Sequence, residues 1–241
     1  MQKILGKMRK ICEKYALIEE NDKIAVGVSG GKDSLVLLSA LKKYQQFSPV
    51  KFELVAISID LSNGEMDYSE IKNYCDSIGV PFYIEKTNVF EVVFDIRKEK
   101  NPCSLCANLR RGHLNSFAKE LGCNKVALGH HSDDLIETFV MSLFFEGRLY
   151  AFQPKSYLSR MDLYVIRPLL LATEDEIQNL AKDMPVIHNT CPANHTTQRE
   201  KVKELLSMFE TKFSGSKEKL LTAITNPERY NLWEIFKNDN N

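Results

Sequence analysis

Residues 24–34, IAVGVSGGKDS, constrain what this chain can become more than any other stretch. Ile24, Val26 and Val28 belong to an apolar run of strand type, Ser29-Gly30-Gly31 turn the chain, and Leu35 to Leu41 read as a helix. At such a junction backbone N–H groups converge on an anion, and the helix dipole favours negative charge. Gly30 and Gly31 permit a positive φ and let a phosphate come close to the backbone. Ser29 and Ser34 add hydroxyls, Lys32 a positive charge, and Asp33 a carboxylate able to reach a metal ion or a ribose. Two other anion loops are excluded. A Walker A loop needs Gly where Val26 stands, and Ser or Thr where Asp33 follows the lysine. The dinucleotide fingerprint GxGxxG fails because Ser29 occupies its second glycine. A bare turn needs glycine but not Ser, Lys, Asp and Ser around it, so the segment reads as a phosphate-binding turn.

The rest of the chain alternates around this junction. Residues 2–18 have helical spacing (Ile4, Met8, Ile11, Cys12, Tyr15, Ile18) and precede the first strand. A helix over 34–46, a buried strand over 52–60, a loop over 60–67, a helix over 68–78 stopped by Gly79 and a strand over 81–85 follow. Residues 89–98 read as helical or irregular. A helix over 102–121 stopped by Gly122, a strand over 125–130, a helix from 133 to 145 and a strand over 164–170 come next. The capping box Thr173 to Glu176 opens a helix over 173–181, residues 184–195 read as loop, and 197–213 form an amphipathic helix. This order implies an α/β fold, a doubly wound, mainly parallel sheet with a helical C-terminal extension. One domain over 1–225, with N-terminal and C-terminal helices, and a polar tail over 226–241 are expected. Ligands of such sheets sit outside the carboxyl ends of the strands, where the SGGKDS turn also falls.

Charge narrows the partners. With 32 Lys and Arg against 32 Asp and Glu the formal net charge is zero, so any nucleic-acid surface is a local patch. Arg111, Arg148, Lys155, Arg160 and Arg167 are candidate phosphate contacts, against the plainer reading of solvated surface charges. No apolar run has the length of a membrane span, and MQKILGKMRK lacks the pattern of a signal peptide, which points to no membrane and to the cytoplasm, where thiols stay reduced.

The six cysteines therefore read as core residues plus ligands. In NPCSLC, Asn101 suits an N-cap and Pro102 the first helical position, which sets Cys103 and Cys106 one turn apart on one face, near Arg110 and Arg111. Three readings compete: half of a zinc site without a visible second half, a redox dithiol that does not follow the first strand, or a pair joined by a distant third cysteine. Cys191, in the polar loop VIHNTCPANH, is the best third member. Cys12, Cys75 and Cys123 sit at apolar or strand-edge positions and read as small buried hydrophobes. Asp133-Asp134 after GHH stand either at a strand end facing the ligand or simply at an acid-loving helix start. His130 and His131 are given no catalytic role.

SGGKDS resembles the PP-loop of ATP pyrophosphatases. Taken with PCSLCANLRRG, ALGHHSDDLIETF and the late Cys191, in that order and spacing over residues 24 to about 199, it resembles the TtcA family of tRNA 2-thiocytidine synthetases. Here Cys191-Pro192 stands where many members have Cys-Gly. The resemblance implies ATP, Mg²⁺ and a [4Fe-4S] cluster with one open iron on Cys103, Cys106 and Cys191. It implies Ser29, Gly30, Gly31, Asp33 and Ser34 around the triphosphate, Gly27, Ile59 and Asp60 around the adenosine, and Gly129, Asp134 and neighbouring Asp133 closing the site. Lys32, Asp33, Arg110 and Asp134 would act in catalysis. The implied reaction transfers AMP to the C2 oxygen of a cytidine in the anticodon loop, and sulfur then replaces that oxygen. Implied partners are tRNA, a sulfur donor such as a cysteine desulfurase or free sulfide, and a second copy of the chain. Rival expectations are a persulfide-type PP-loop sulfurtransferase with Cys106 or Cys191 as carrier, another AMP-forming PP-loop enzyme without a cluster, and a binding module with a structural zinc.

Overall fold

The computed structural model describes residues 1–61, 64, 66–96, 102–187 and 198–230, except for the side chains of 94, 95 and 103. The elements run α1 (Gln2–Tyr15), β1 (Asp22–Gly27), α2 (Lys32–Tyr44), β2 (Phe52–Asp60), α3 (Ser69–Ser77), β3 (Phe82–Lys86) and α4 (Val89–Glu91), which continues as a π-helical turn over Val92–Ile96. Then come α5 (Pro102–Glu120), β4 (Lys125–Ala127) and α6 (Ser132–Met141), extended by a second π-helical turn over Ser142–Glu146. β5 (Lys155–Leu158), β6 (Leu163–Ile166), α7 (Glu174–Ala181), α8 (Gln198–Lys212) and α9 (Ser216–Thr225) complete the chain, before a 3₁₀ turn over Pro227–Arg229. Among the described residues no helix is long and apolar enough to cross a membrane.

The chain divides into two compact units. The first, residues 1–134 and 152–196, carries one six-stranded sheet in the order β3-β2-β1-β4-β6-β5. Every pairing is parallel except β5 with β6, so the expected doubly wound, mainly parallel sheet is present. Its inner strands are buried on both faces and are nearly continuous in apolar residues, as parallel strands must be. Ala25, Val55, Ile57, Ile59 and Val126 pack with Leu114 and Ala118 of α5 in one core. α2 packs against β1, α1 and α7 and is buried at every position from Ser34 to Leu41, so it is held from all sides and its N-terminus is fixed in direction.

One sequence expectation is corrected here. The strand over 164–170 is only Leu163–Ile166, because Pro168 has no N–H to give a ladder and the chain turns at Arg167. It pairs with β5, in a stretch to which the sequence reading assigned no element. KSYL is short, half polar and lies at the sheet edge, so it carries little hydrophobic pattern.

The second unit, residues 135–151 and 197–241, buries Ile136 and Val140 of α6 against Val202 and Leu206 of α8, with Leu220, Leu221 and Ile224 of α9 packed on them. Glu137 of α6 faces Arg199 at 3.4 Å. α9 falls within the expected C-terminal helical extension, although no helix had been assigned to 216–225, and a 3₁₀ turn over Pro227–Arg229 follows at the start of the polar tail.

Candidate nucleotide site and cysteine helix

Chain order reverses between β1 and β4. β1 leads outward to β2 and β3, while β4 leads the other way to β6. At such a switch point the loops leaving adjacent strands part and open a crevice above the carboxyl ends. Register brings the two loops level: Val26 pairs Ala127, so the SGGKDS turn and the Gly129-His130-His131 segment emerge side by side.

The turn after β1 is preformed by its own residues. Ser34 Oγ donates to the Gly31 carbonyl at 2.8 Å, the Ser29 amide donates to Ser34 Oγ at 3.2 Å, and the Gly31 amide donates to Ser29 Oγ at 3.3 Å. The two serine hydroxyls thus brace the loop that would receive a phosphate. Gly30 has φ +81°, and a Cβ there would lie 3.0 Å from Cβ of Ile187. The Ile187 amide donates to the Gly30 carbonyl at 2.9 Å, so the chain after α7 is tied to the turn. Cys191, four residues further on, lies outside the described residues.

Gly129 explains why the loop after β4 begins with glycine. A Cβ on it would sit 2.9 Å from the Asp33 carbonyl carbon and 3.1 Å from the Ser34 amide nitrogen, both backbone atoms. The two loops are in contact through main chain. Gly27 is different: its absent Cβ would meet side-chain tips, Leu114 at 2.8 Å and Leu128 at 3.4 Å. Ile59 and Asp60 are buried at the end of β2, next to β1.

The charged groups form a closed circuit around the crevice. Lys32 Nζ donates to Glu174 Oε1 at 3.0 Å and lies 3.3 Å from Asp33 Oδ1. Burial alone would lower the pKa of this ammonium. The Glu174 hydrogen bond and the Asp33 charge outweigh burial and raise it. The Glu174 amide, first in α7, donates to Asp133 Oδ2 at 2.9 Å. Asp133 Oδ2 is 3.8 Å from His131 Nδ1, and His131 Nε2 faces Asp134 Oδ2 at 3.4 Å and Asp33 Oδ1 at 3.8 Å. Asp134 Oδ2 also accepts from the His131 amide at 3.0 Å, bracing the start of α6. Asp33 Oδ1 and His131 Nδ1 are buried without a hydrogen bond. Such atoms on the wall of a crevice are places for a ligand or a hydrated cation. Among the described residues no three His, Cys, Asp or Glu side chains form a closed metal cage, as suits Mg²⁺, which keeps waters and takes phosphate oxygens as ligands.

The structure brings Ser29 to Ser34, Gly129, Asp133 and Asp134 together around one crevice, and with them His131 and Glu174, which the sequence reading gave no role. The motif GHHSDD and the capping box TEDE contain them, yet only the packing of α7 against α2 brings Glu174 to Lys32.

The cysteines separate by burial. Burial pushes the Cys12 thiol up to about 12 and Cys75 to about 11, and raises Cys123, as for small residues packed in a core, in line with their sequence reading. Of the four cysteines whose side chains are described, Cys106 alone is not buried. It stands in the second turn of α5, which begins at Pro102 and carries Cys103 one turn before it. Arg110, one turn later, has its pKa lowered by burial, an effect that the charges of Cys106 and Tyr68 oppose. Tyr68 in turn is pushed up to about 12 by burial and by the charge of Asp60. Asp60, Tyr68, Arg110 and Cys106 are thus electrostatic neighbours.

The scattered basic residues are largely committed internally. Lys155 donates to the Ala16 carbonyl and Glu19, Arg167 to the Gln153 carbonyl, Arg111 to Asn108 and the Ala107 carbonyl, and Arg148 to Glu146.

Residues 2–204 match the model of the PP-loop domain family. A tRNA-cytidine(32) 2-sulfurtransferase of Cellvibrio japonicus is 40% identical over 92% of this chain and 74% of its own length. The one from Pelobacter propionicus is 39% identical over 88% and 81%. Among solved structures, the U34-tRNA thiolase NcsA from Methanococcus maripaludis with its [4Fe-4S] cluster matches with a TM-score of 0.71 at 26% identity, over 93% of this chain and 78% of that one. An NH3-dependent NAD synthetase from Campylobacter jejuni shares the fold, with a TM-score of 0.51 at 19% identity over 98% of both chains.

Proposed function

This chain belongs to the PP-loop domain family and, within it, to the tRNA-cytidine(32) 2-sulfurtransferases, and from that premise we propose that it is an ATP-dependent tRNA sulfurtransferase that converts a cytidine to 2-thiocytidine. The observation that carries the reading is the pairing, in one unit, of a preformed phosphate turn at the sheet switch point with a half-exposed Cys106 beside Arg110 on α5.

The C2 carbonyl of cytosine is a poor electrophile. Its oxygen attacks the α-phosphorus of ATP, the bond to the β-phosphate breaks, and pyrophosphate leaves. Sulfur then adds at C2 and AMP departs with the oxygen. Ser29 to Ser34 hold the triphosphate, with Gly30 and Gly31 giving backbone amides to it. Asp33 and Asp134, whose carboxylates both lie near His131 on the crevice wall, would hold the Mg²⁺ that accompanies the nucleotide. Lys32 and Arg110 offset charge on the departing pyrophosphate. Gly27, Ile59 and Asp60 line the adenosine, Gly129 brings the second loop against the first, and Asp133 fixes α7 behind it.

Cys12, Cys75 and Cys123 are buried and Cys106 is not, which is consistent with Cys106, together with Cys103 and Cys191, as the residues that would hold an iron–sulfur cluster. Held there, a [4Fe-4S] cluster would supply sulfide to the activated base. The activity is assigned to residues 1–225, in the cytoplasm, with tRNA as substrate, a cysteine desulfurase or free sulfide as sulfur source, and a homodimer as the assembly.

The test is iron and acid-labile sulfide per chain after anaerobic purification, for the native protein and for Cys191→Ala, with AMP release measured in the presence of tRNA. About four of each per native chain, lost in the variant, together with tRNA-dependent AMP, is the expected result. Zinc instead of iron makes the CxxC pair structural. A metal-free chain that still thiolates tRNA uses a persulfide.

A further inference from the structure

The positive charge of the phosphate turn is already taken. Lys32 Nζ donates to Glu174 Oε1 at 3.0 Å across 142 residues of sequence, with the side chains 28% and 33% exposed. Glu174 is held from behind. Its amide donates to Asp133, the capping box of Thr173 and Glu176 fixes the turn, and Glu176 binds Lys7 at 2.7 Å. The Glu174 carboxylate is one-third exposed, so water can solvate it when a ligand takes Lys32. Oxygens of a triphosphate resting on the Gly30 and Gly31 amides would compete with this carboxylate for one ammonium, and an ionised Glu174 left in place would repel them.

Resting on the reading of this turn as the ATP site, we propose that Glu174 is a placeholder anion: it neutralises Lys32 in the empty site, ATP takes the ammonium over from it, and it returns when pyrophosphate leaves. Glu174 thereby sets the affinity threshold for polyphosphates and assists product release. Its removal strengthens binding, which is opposite to the effect of losing a ligand-binding residue.

The experiment is calorimetric titration of the full chain with α,β-methylene-ATP and Mg²⁺, and separately with inorganic pyrophosphate. The proteins are native, Glu174→Gln, Asp175→Asn, Lys32→Met and the Lys32→Met/Glu174→Gln double variant. Loss of one charge-assisted competitor predicts roughly tenfold tighter binding of both ligands to Glu174→Gln. Asp175→Asn removes the same charge from the same exposed turn and is expected to stay within about twofold. In the Lys32→Met background the gain from Glu174→Gln shrinks to that level, because the competition has no object. Equal or weaker binding to Glu174→Gln, or a gain that persists without Lys32, overturns the exchange while leaving the ATP site intact. Absence of binding to the native chain overturns both. Glu174→Ala, expected to shift in the same direction, serves if the glutamine variant misfolds.

Discussion

Asp133 and Asp134 are neighbours with different employment. Asp133 is 7% exposed and spends Oδ2 on the Glu174 amide and the Ser132 hydroxyl, so it caps α7 from a distant helix. Asp134 lies beside His131 at the start of α6, its Oδ2 3.4 Å from His131 Nε2. Removing the first should cost structure and removing the second should cost chemistry. Asp133→Ala is expected to lower stability by about 1 kcal/mol, the size of a lost helix cap, seen in a denaturant melt. Asp134→Asn is expected to melt like the native chain and to slow tRNA-dependent AMP release by about a hundredfold or more, as loss of a charge at the reacting phosphates does. Were Asp134→Asn instead the unstable one, the division of labour would be reversed.

At the scale of elements, two carboxylates anchor helices and loops by lending their charge. Hydrogen bonds from Lys125 and Lys155 hold Glu19 down to about 2. Burial opposes ionisation of Glu176, but Lys7, the Thr173 amide and Lys3 outweigh it and also bring it to about 2, joining α7 to α1. Both groups ionise more readily folded than unfolded. The stability they add is therefore complete above the ordinary value of 4.5 and drains away as pH falls towards about 2. Melting temperatures of native and Glu176→Gln proteins from pH 7 to 2 test this. The variant keeps the capping box, starts lower, and loses less on acidification. Elements were legible in the sequence where local chemistry decides them: the glycine stops at 79 and 122, the capping box at 173, the glycine turn at 29–31. β5, α9 and the π-helical turns were not, because an edge strand, a half-buried helix and a widened turn leave no periodic signature. Local motifs likewise disclosed SGGKDS and the paired aspartates. Glu174 and His131 become site residues only when α7 meets α2 and β4 meets β1.

For the molecule as a whole, the sheet is sewn together out of chain order. At its other end, the buried Lys125 binds Glu19, Asp22 and the Leu17 carbonyl, pinning β4 beside β1. Ile24 pairs with Lys125, so the central seam joins strands roughly a hundred residues apart. During synthesis β1, β2 and β3 are complete long before β4 exists. One flank of β1 must meanwhile wait with its N–H and C=O groups unclaimed, an open invitation to a second nascent chain. Closure of that seam over so long a loop is slow, and the hazard grows with crowding of unfinished copies. Refolding from denaturant is expected to give a yield that falls as protein concentration rises, as light scattering and recovered ATP-analogue binding would show. The strand order that creates the crevice thus also sets a window of vulnerability in the life of every new molecule.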